Sequence, residues 1–78
     1  MKLKFEQLKT EITDPTISID MRSIMDNTIE KLLSVSITLE TANTKIYGVR
    51  ITDIPYTDTW EDADIEGLVM ERLKDFEI

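Results

Sequence analysis

A chain of 78 residues holds one domain, since domains run from about 50 to 250 residues, and 41% hydrophobic against 32% charged residues gives it enough apolar material to fold. With no cysteine and no histidine, it has no disulfide, no thiolate nucleophile, no ordinary general base and no sulfur-based zinc site. Sixteen acids against nine bases set the net charge at −7, which argues against general attraction to nucleic acid or to an anionic membrane.

The opening residues, Met1-Lys2-Leu3-Lys4-Phe5-Glu6, lack the apolar run of a signal peptide. No window approaches the ~20 apolar residues of a membrane span. A soluble, cytoplasmic protein is expected. Met1, Phe5, Leu8 and Ile12 then recur at helical spacing, with Lys2, Glu6 and Lys9 paired on the opposite surface, so residues 1–13 read as a helix. The alternation of Leu3 and Phe5 with Lys2, Lys4 and Glu6 admits a short strand over part of the same segment. Asp14-Pro15 ends it, because the residue before proline is steered from helical angles.

Ile17 and Ile19 alternate with Thr16 and Ser18, a short extended stretch. Asp20 is then a candidate N-cap. Met21, Ile24, Met25, Ile29, Leu32 and Leu33 share one face of a helix expected over 21–33, opposite Ser23, Asp26, Asn27 and Glu30. From Val35 the period drops to two. Val35, Ile37 and Leu39 form the apolar side of one strand and Tyr47, Val49 and Ile51 that of a second, joined through Ala42-Asn43-Thr44 as an antiparallel hairpin. Pro55 stops the second strand. Asp58 or Thr59, with Glu61 or Asp62 three residues on, caps a last helix that buries Ile65, Val69, Leu73 and Phe76. The expected architecture is α+β, in the order α-(β)-α-β-β-α: an antiparallel hairpin, or a three-stranded sheet, packed against two or three helices over residues 1–78.

Charge is unevenly placed along the chain. Residues 54–78 carry Arg72 and Lys74 against eight acids, a net −6, while the three preceding segments are close to neutral. On a helical projection Glu61, Asp64, Glu71 and Asp75 surround Leu68 on one exposed flank, with Trp60 at the same end. The helix dipole favours acids in the first turn but not Glu71, Asp75 and Glu77 in the last. Read functionally, this flank steers and anchors a basic partner; read structurally, it is a solvated face with Trp60 as a lid over the core.

Catalytic chemistry finds little support. Asp62-Ala63-Asp64-Ile65-Glu66-Gly67 imitates the start of a calcium loop, but the twelfth position, where a bidentate glutamate belongs, is Leu73. No histidine activates Ser23, Ser34 or Ser36, and two glycines, Gly48 and Gly67, make no phosphate loop. The basic residues Lys2, Lys4 and Lys9 are interrupted by Glu6, which disfavours direct nucleic-acid binding. A polar sheet face of Ser34, Ser36, Thr38, Arg50 and Thr52 is expected to be wet, and an open sheet edge, or Met70 with Trp60, could form a homodimer.

The reading that follows is a non-enzymatic binding module without cofactor or metal. It is of the accessory or inhibitor type, comparable in size and acidity to small proteins of phages and mobile elements. It engages a basic surface of a partner protein through Trp60, Glu61, Asp64, Leu68, Glu71 and Asp75, with nucleic-acid mimicry as a sharper variant. A structural protein that acts by homo-oligomerisation is the alternative.

Overall fold

A computed structural model describes all of residues 1–78 and shows mostly sheet. Strands β1 (Lys2–Phe5) and β2 (Thr10–Thr13) pair antiparallel as a small hairpin. Strands β3 (Thr16–Asn27), β4 (Leu32–Glu40) and β5 (Lys45–Pro55) form a second antiparallel sheet in the order β3-β4-β5. One helix, α1 (Asp62–Leu73), follows and tightens into a 3₁₀ turn over Lys74–Phe76. The expectation of two or three helices around a hairpin is therefore corrected: only the C-terminal helix forms. No helix is long and apolar enough to cross a membrane.

The two missing helices fail for identifiable reasons. Within residues 1–13 the strand alternation prevails: Leu3, Phe5 and Ile12 are buried, whereas Met1 stays exposed and Leu8 half-buried. The helical spacing there reflects one turn. Leu8 and Lys9 both donate amides to the Phe5 carbonyl, and Lys9 at φ 51° then reverses the chain into β2. Residue 78 donates its amide to the Lys2 carbonyl, and Leu3 bridges Glu77, so the end of the 3₁₀ turn closes on β1. The Phe5 and Phe76 rings meet there, 5.0 Å apart.

Residues 21–33 are instead the second half of β3, a turn and the start of β4. Register slips between the pairs Asp20↔Ser36 and Met25↔Ser34, so β3 bulges over Met21–Ile24. Asp20 does use its carboxylate on a free amide, that of Arg22 at 3.0 Å, but it stabilises this bulge and not a helix start. The Ser23 hydroxyl donates to the Asp20 carbonyl at 2.6 Å and accepts the Ser36 amide at 2.7 Å, filling the gap in the ladder. Arg50 reaches across from β5 and donates to the Ser23 carbonyl, Ser36 Oγ and Ser34 Oγ at 2.8, 3.2 and 2.6 Å. The polar sheet face is thus strapped by one arginine. The bulge re-aims the strand: Ile24 turns toward the core, and Met21 and Met25 are left outside.

The expected hairpin is present as β4 and β5, with Val35, Ile37, Leu39, Val49 and Ile51 buried. Tyr47 departs from its expected side and is exposed, because register slips between the pairs Ile37↔Val49 and Leu39↔Ile46. Gly48, at φ 66°, supplies the left-handed residue of this bulge, and half-buried Ile46 takes the inward position. The strand does end at Pro55.

Helix α1 buries Ile65, Val69 and Leu73 as its spacing predicts; Phe76 lies in the 3₁₀ turn and is half-buried. Its cap is Glu61, not Asp58 or Thr59: Asp64 Oδ2 accepts the Glu61 amide at 2.9 Å. Ile24, Leu33, Val35, Ile54, Ile65, Leu68 and Val69 meet in an apolar seam too tight to admit water. That seam joins the helix to the larger sheet within one cluster of 13 buried residues.

Candidate functional site

The end of the molecule that carries the β3–β4 turn also carries the loop from β5 into α1. Asn27 Oδ1 accepts the Glu30 amide at 3.1 Å, and Lys31, at φ 57°, completes the reversal into β4. The Tyr56 amide donates to the Lys31 carbonyl at 3.1 Å, and the Lys31 ammonium faces Asp58 at 3.6 Å. Asp26, at the end of β3, receives two bonds from the same loop: Tyr56 Oη donates to Oδ1 at 2.6 Å and Trp60 Nε1 to Oδ2 at 2.9 Å. The hydrogen bond to Asp26, and secondarily burial and the carboxylate charge, raise the Tyr56 phenol above its ordinary value of 10.0. One carboxylate thus takes two of the bonds that tie this loop to the sheet, beside the Tyr56 amide and the Lys31–Asp58 pair.

This clamp gathers acids from two stretches of the sequence. Residues 25–34 and 52–64 contain Asp26, Glu30, Asp53, Asp58, Glu61, Asp62 and Asp64 against the single base Lys31. The remaining residues carry nine acids and eight bases. By sequence, nearly the whole net charge falls in the two stretches that form this end, although Arg50 and Arg72 reach into it and donate to Ser34 Oγ and the Thr52 carbonyl. Its acids are not linked to the molecule's arginines: only Asp58 has a cationic partner, Lys31. No three of them converge closely enough to share a metal ion.

Two open hollows flank the clamp. One, of about 540 Å³, lies along the β3–β4 turn and is walled by Met25, Asp26, Ile29, Glu30, Leu32 and Asp53, among others. The other, of about 490 Å³, lies along the start of α1 between Tyr56, Trp60, Asp64 and Leu68. Ile29 at the turn is 93% exposed and Met25 is 67% exposed.

The six residues singled out by the helical projection divide. Trp60, Asp64 and Leu68 line the second hollow together, with Glu61 between them in sequence at the helix cap. Trp60 is half-buried and committed to Asp26, and Leu68 is half-buried against the core seam. Glu71 and Asp75 stand apart. Asp75 lies eleven residues beyond Asp64, about 16 Å along a helical path. Glu71 pairs with Lys74 at 3.0 Å and Asp75 with Arg72 at 2.6 Å. Arg72 also donates to the Thr52 carbonyl and stacks over Phe76. These late acids are balanced by the bases that the dipole favours at the same end. Met70, assigned to a neighbour-facing side, packs half-buried against the core.

Sequence reasoning missed Asp26, Ile29, Glu30 and Asp53. The first three were absorbed into the expected helix over 21–33, where Ile29 counted as core. One local signal was available: Asn27 with Glu30 fits a side-chain-stabilised turn as well as it fits a helix surface. The calcium-like run 62–67 spans the first turns of α1, with Ile65 buried in its middle. Comparison with protein-family models, curated proteins and solved structures finds no match to this chain.

Proposed function

We propose that the protein is a non-enzymatic binding module that presents its acidic end, built from the β3–β4 turn and the start of α1, to a basic surface of a partner protein. The single observation that carries this reading is that the β3–β4 turn and the loop from β5 into α1, whose two stretches of sequence hold seven carboxylates and one lysine, are tied together through Asp26. Like charges gathered this way repel, each close pair costing a few tenths of a kcal/mol in water, about 0.5 at 8 Å. Asp26, Asp58 and Asp64 also serve the fold, through Tyr56 and Trp60, Lys31 and the helix cap, but the Glu30 and Asp53 carboxylates make no ion pair or hydrogen bond. A cationic partner removes the repulsion and is steered toward the site by its field.

The surface differs from a simple acidic helix. Glu61 and Asp64 belong to it, and Trp60 and Leu68 form its apolar wall. Glu71 and Asp75, neutralised by Lys74 and Arg72, do not.

Binding of an oligolysine peptide, measured by calorimetry over a range of salt, tests the reading. The triple substitution E30Q/D53N/E61Q is expected to weaken binding severalfold and to flatten its salt dependence. The pair E71Q/D75N is expected to leave both close to those of the parent protein. The reverse pattern would place the interaction on the far end of the helix and refute the assignment.

A further inference from the structure

We infer that the hollow along the β3–β4 turn receives a basic amphipathic segment of a partner protein, with an apolar side chain seated between Met25 and Ile29 and cationic side chains set against Asp26, Glu30 and Asp53. This rests on the acidic-end reading and specifies the kind of basic surface that fits it. Turn positions ordinarily hold glycine, asparagine, aspartate or serine. Here the turn carries a β-branched isoleucine, 93% exposed, on the same hollow as a methionine that is 67% exposed. Neither contributes appreciably to the core, and a methionine adapts readily to the shape of an incoming side chain.

The acids in the same hollow decide the occupant. Glu30 and Asp53 have no ion pair: Lys31 is engaged by Asp58, Arg72 by Asp75 and the Thr52 carbonyl, and Arg50 by the Ser23 carbonyl and the Ser34 and Ser36 hydroxyls. Asp26 holds Tyr56 and Trp60 but keeps free lone pairs on a carboxylate that has about four acceptor sites. A second copy of this chain would bring an equal set of acids against these and be repelled. An anionic membrane would be repelled for the same reason. A segment with lysines or arginines flanking a leucine-like side chain satisfies both features. The hollow is open, and Met25, Ile29, Leu32 and Leu33 along it supply the apolar contact for such an anchor.

The test uses two labelled peptides of equal length and charge, one alternating leucine and lysine with helical spacing, the other with every leucine replaced by serine. Fluorescence anisotropy at moderate salt is expected to show the leucine peptide binding about tenfold more tightly, the equivalent of burying one partly exposed aliphatic side chain. I29S and, independently, M25S are expected to abolish that preference while preserving the weaker binding of the serine peptide; both side chains are exposed, so the variants fold. Equal affinities for the two peptides, or a preference that survives I29S and M25S, overturns the groove assignment and leaves the acidic-end reading standing. Failure of both peptides to bind even at low salt overturns the acidic-end reading as well.

Discussion

Asp26 does more for this fold than its exposed position suggests. Its two oxygens accept from Tyr56 and Trp60, at 2.6 and 2.9 Å, and so tie the loop before α1 to the end of β3. An amide in its place cannot accept at both atoms, and one donor is left facing an N–H. Asp26→Asn is therefore expected to lower the urea midpoint at neutral pH, shift Trp60 emission, and bring the Tyr56 phenol back toward 10.0 in an absorbance titration. The sign of the pH effect follows from the raised phenol. Its stabilisation is fully present below the ordinary value and is lost as pH rises through the higher folded value. The gap between parent and variant should accordingly narrow in alkali. A Tyr56 titration unaffected by the substitution would remove Asp26 as its cause.

At the level of elements, three register shifts decide what faces the core: one over Met21–Ile24, one at Tyr47–Gly48 and one at Thr52–Asp53, where Asp53 has φ 56°. The bulge over Met21–Ile24 is held by Ser23 and Arg50, and the one at Tyr47–Gly48 by a glycine in the left-handed region. Added methyl groups at the two glycines distinguish conformation from space, because a Cβ would meet nothing within 4 Å at either. Gly48→Ala must force an L-residue to φ 66° and is expected to cost about 1 kcal/mol or more. Gly67→Ala, inside α1, is expected to gain about 0.5–1 kcal/mol. Denaturant unfolding of the two variants reads both. Effects of the same sign would show that one of these backbone assignments is wrong.

The same bulges explain what could be read from the sequence. Strand β4 and α1 were legible because an unbroken period of two or of 3.6 decides their buried side chains, Val35 to Leu39 and Ile65 to Leu73, whereas β5 kept Val49 and Ile51 inside but lost Tyr47 to a register slip. Residues 21–33 were not. A bulge inserts residues into a strand and moves apolar positions off strict alternation, and Met21, Ile24 and Met25 thereby fell on a helical stripe that the turn residue Ile29 happens to extend. Of these four only Ile24 turns inward and the others face water, while Leu33, at the end of the same stripe, is buried from β4. Three members of the candidate site, Trp60, Asp64 and Leu68, were legible from α1 alone. Glu30 and Asp53 were not, since only the tertiary fold sets the β3–β4 turn beside the loop that follows β5.

For the molecule as a whole, charge is sorted by the fold more than by the chain. The −6 of residues 54–78 conceals a helix end where Arg72 and Lys74 pair with Asp75 and Glu71, and a helix start that Asp26, Glu30 and Asp53 join without ion pairs. That end is where a cationic ligand gains most. An amide chemical-shift map of the ¹⁵N-labelled protein during titration with oligolysine locates the contact directly. Shifts concentrated in residues 25–34 and 52–64, with residues 71–78 unmoved, are the expected result; shifts centred on residues 66–78, or spread evenly over both sheets, would contradict it.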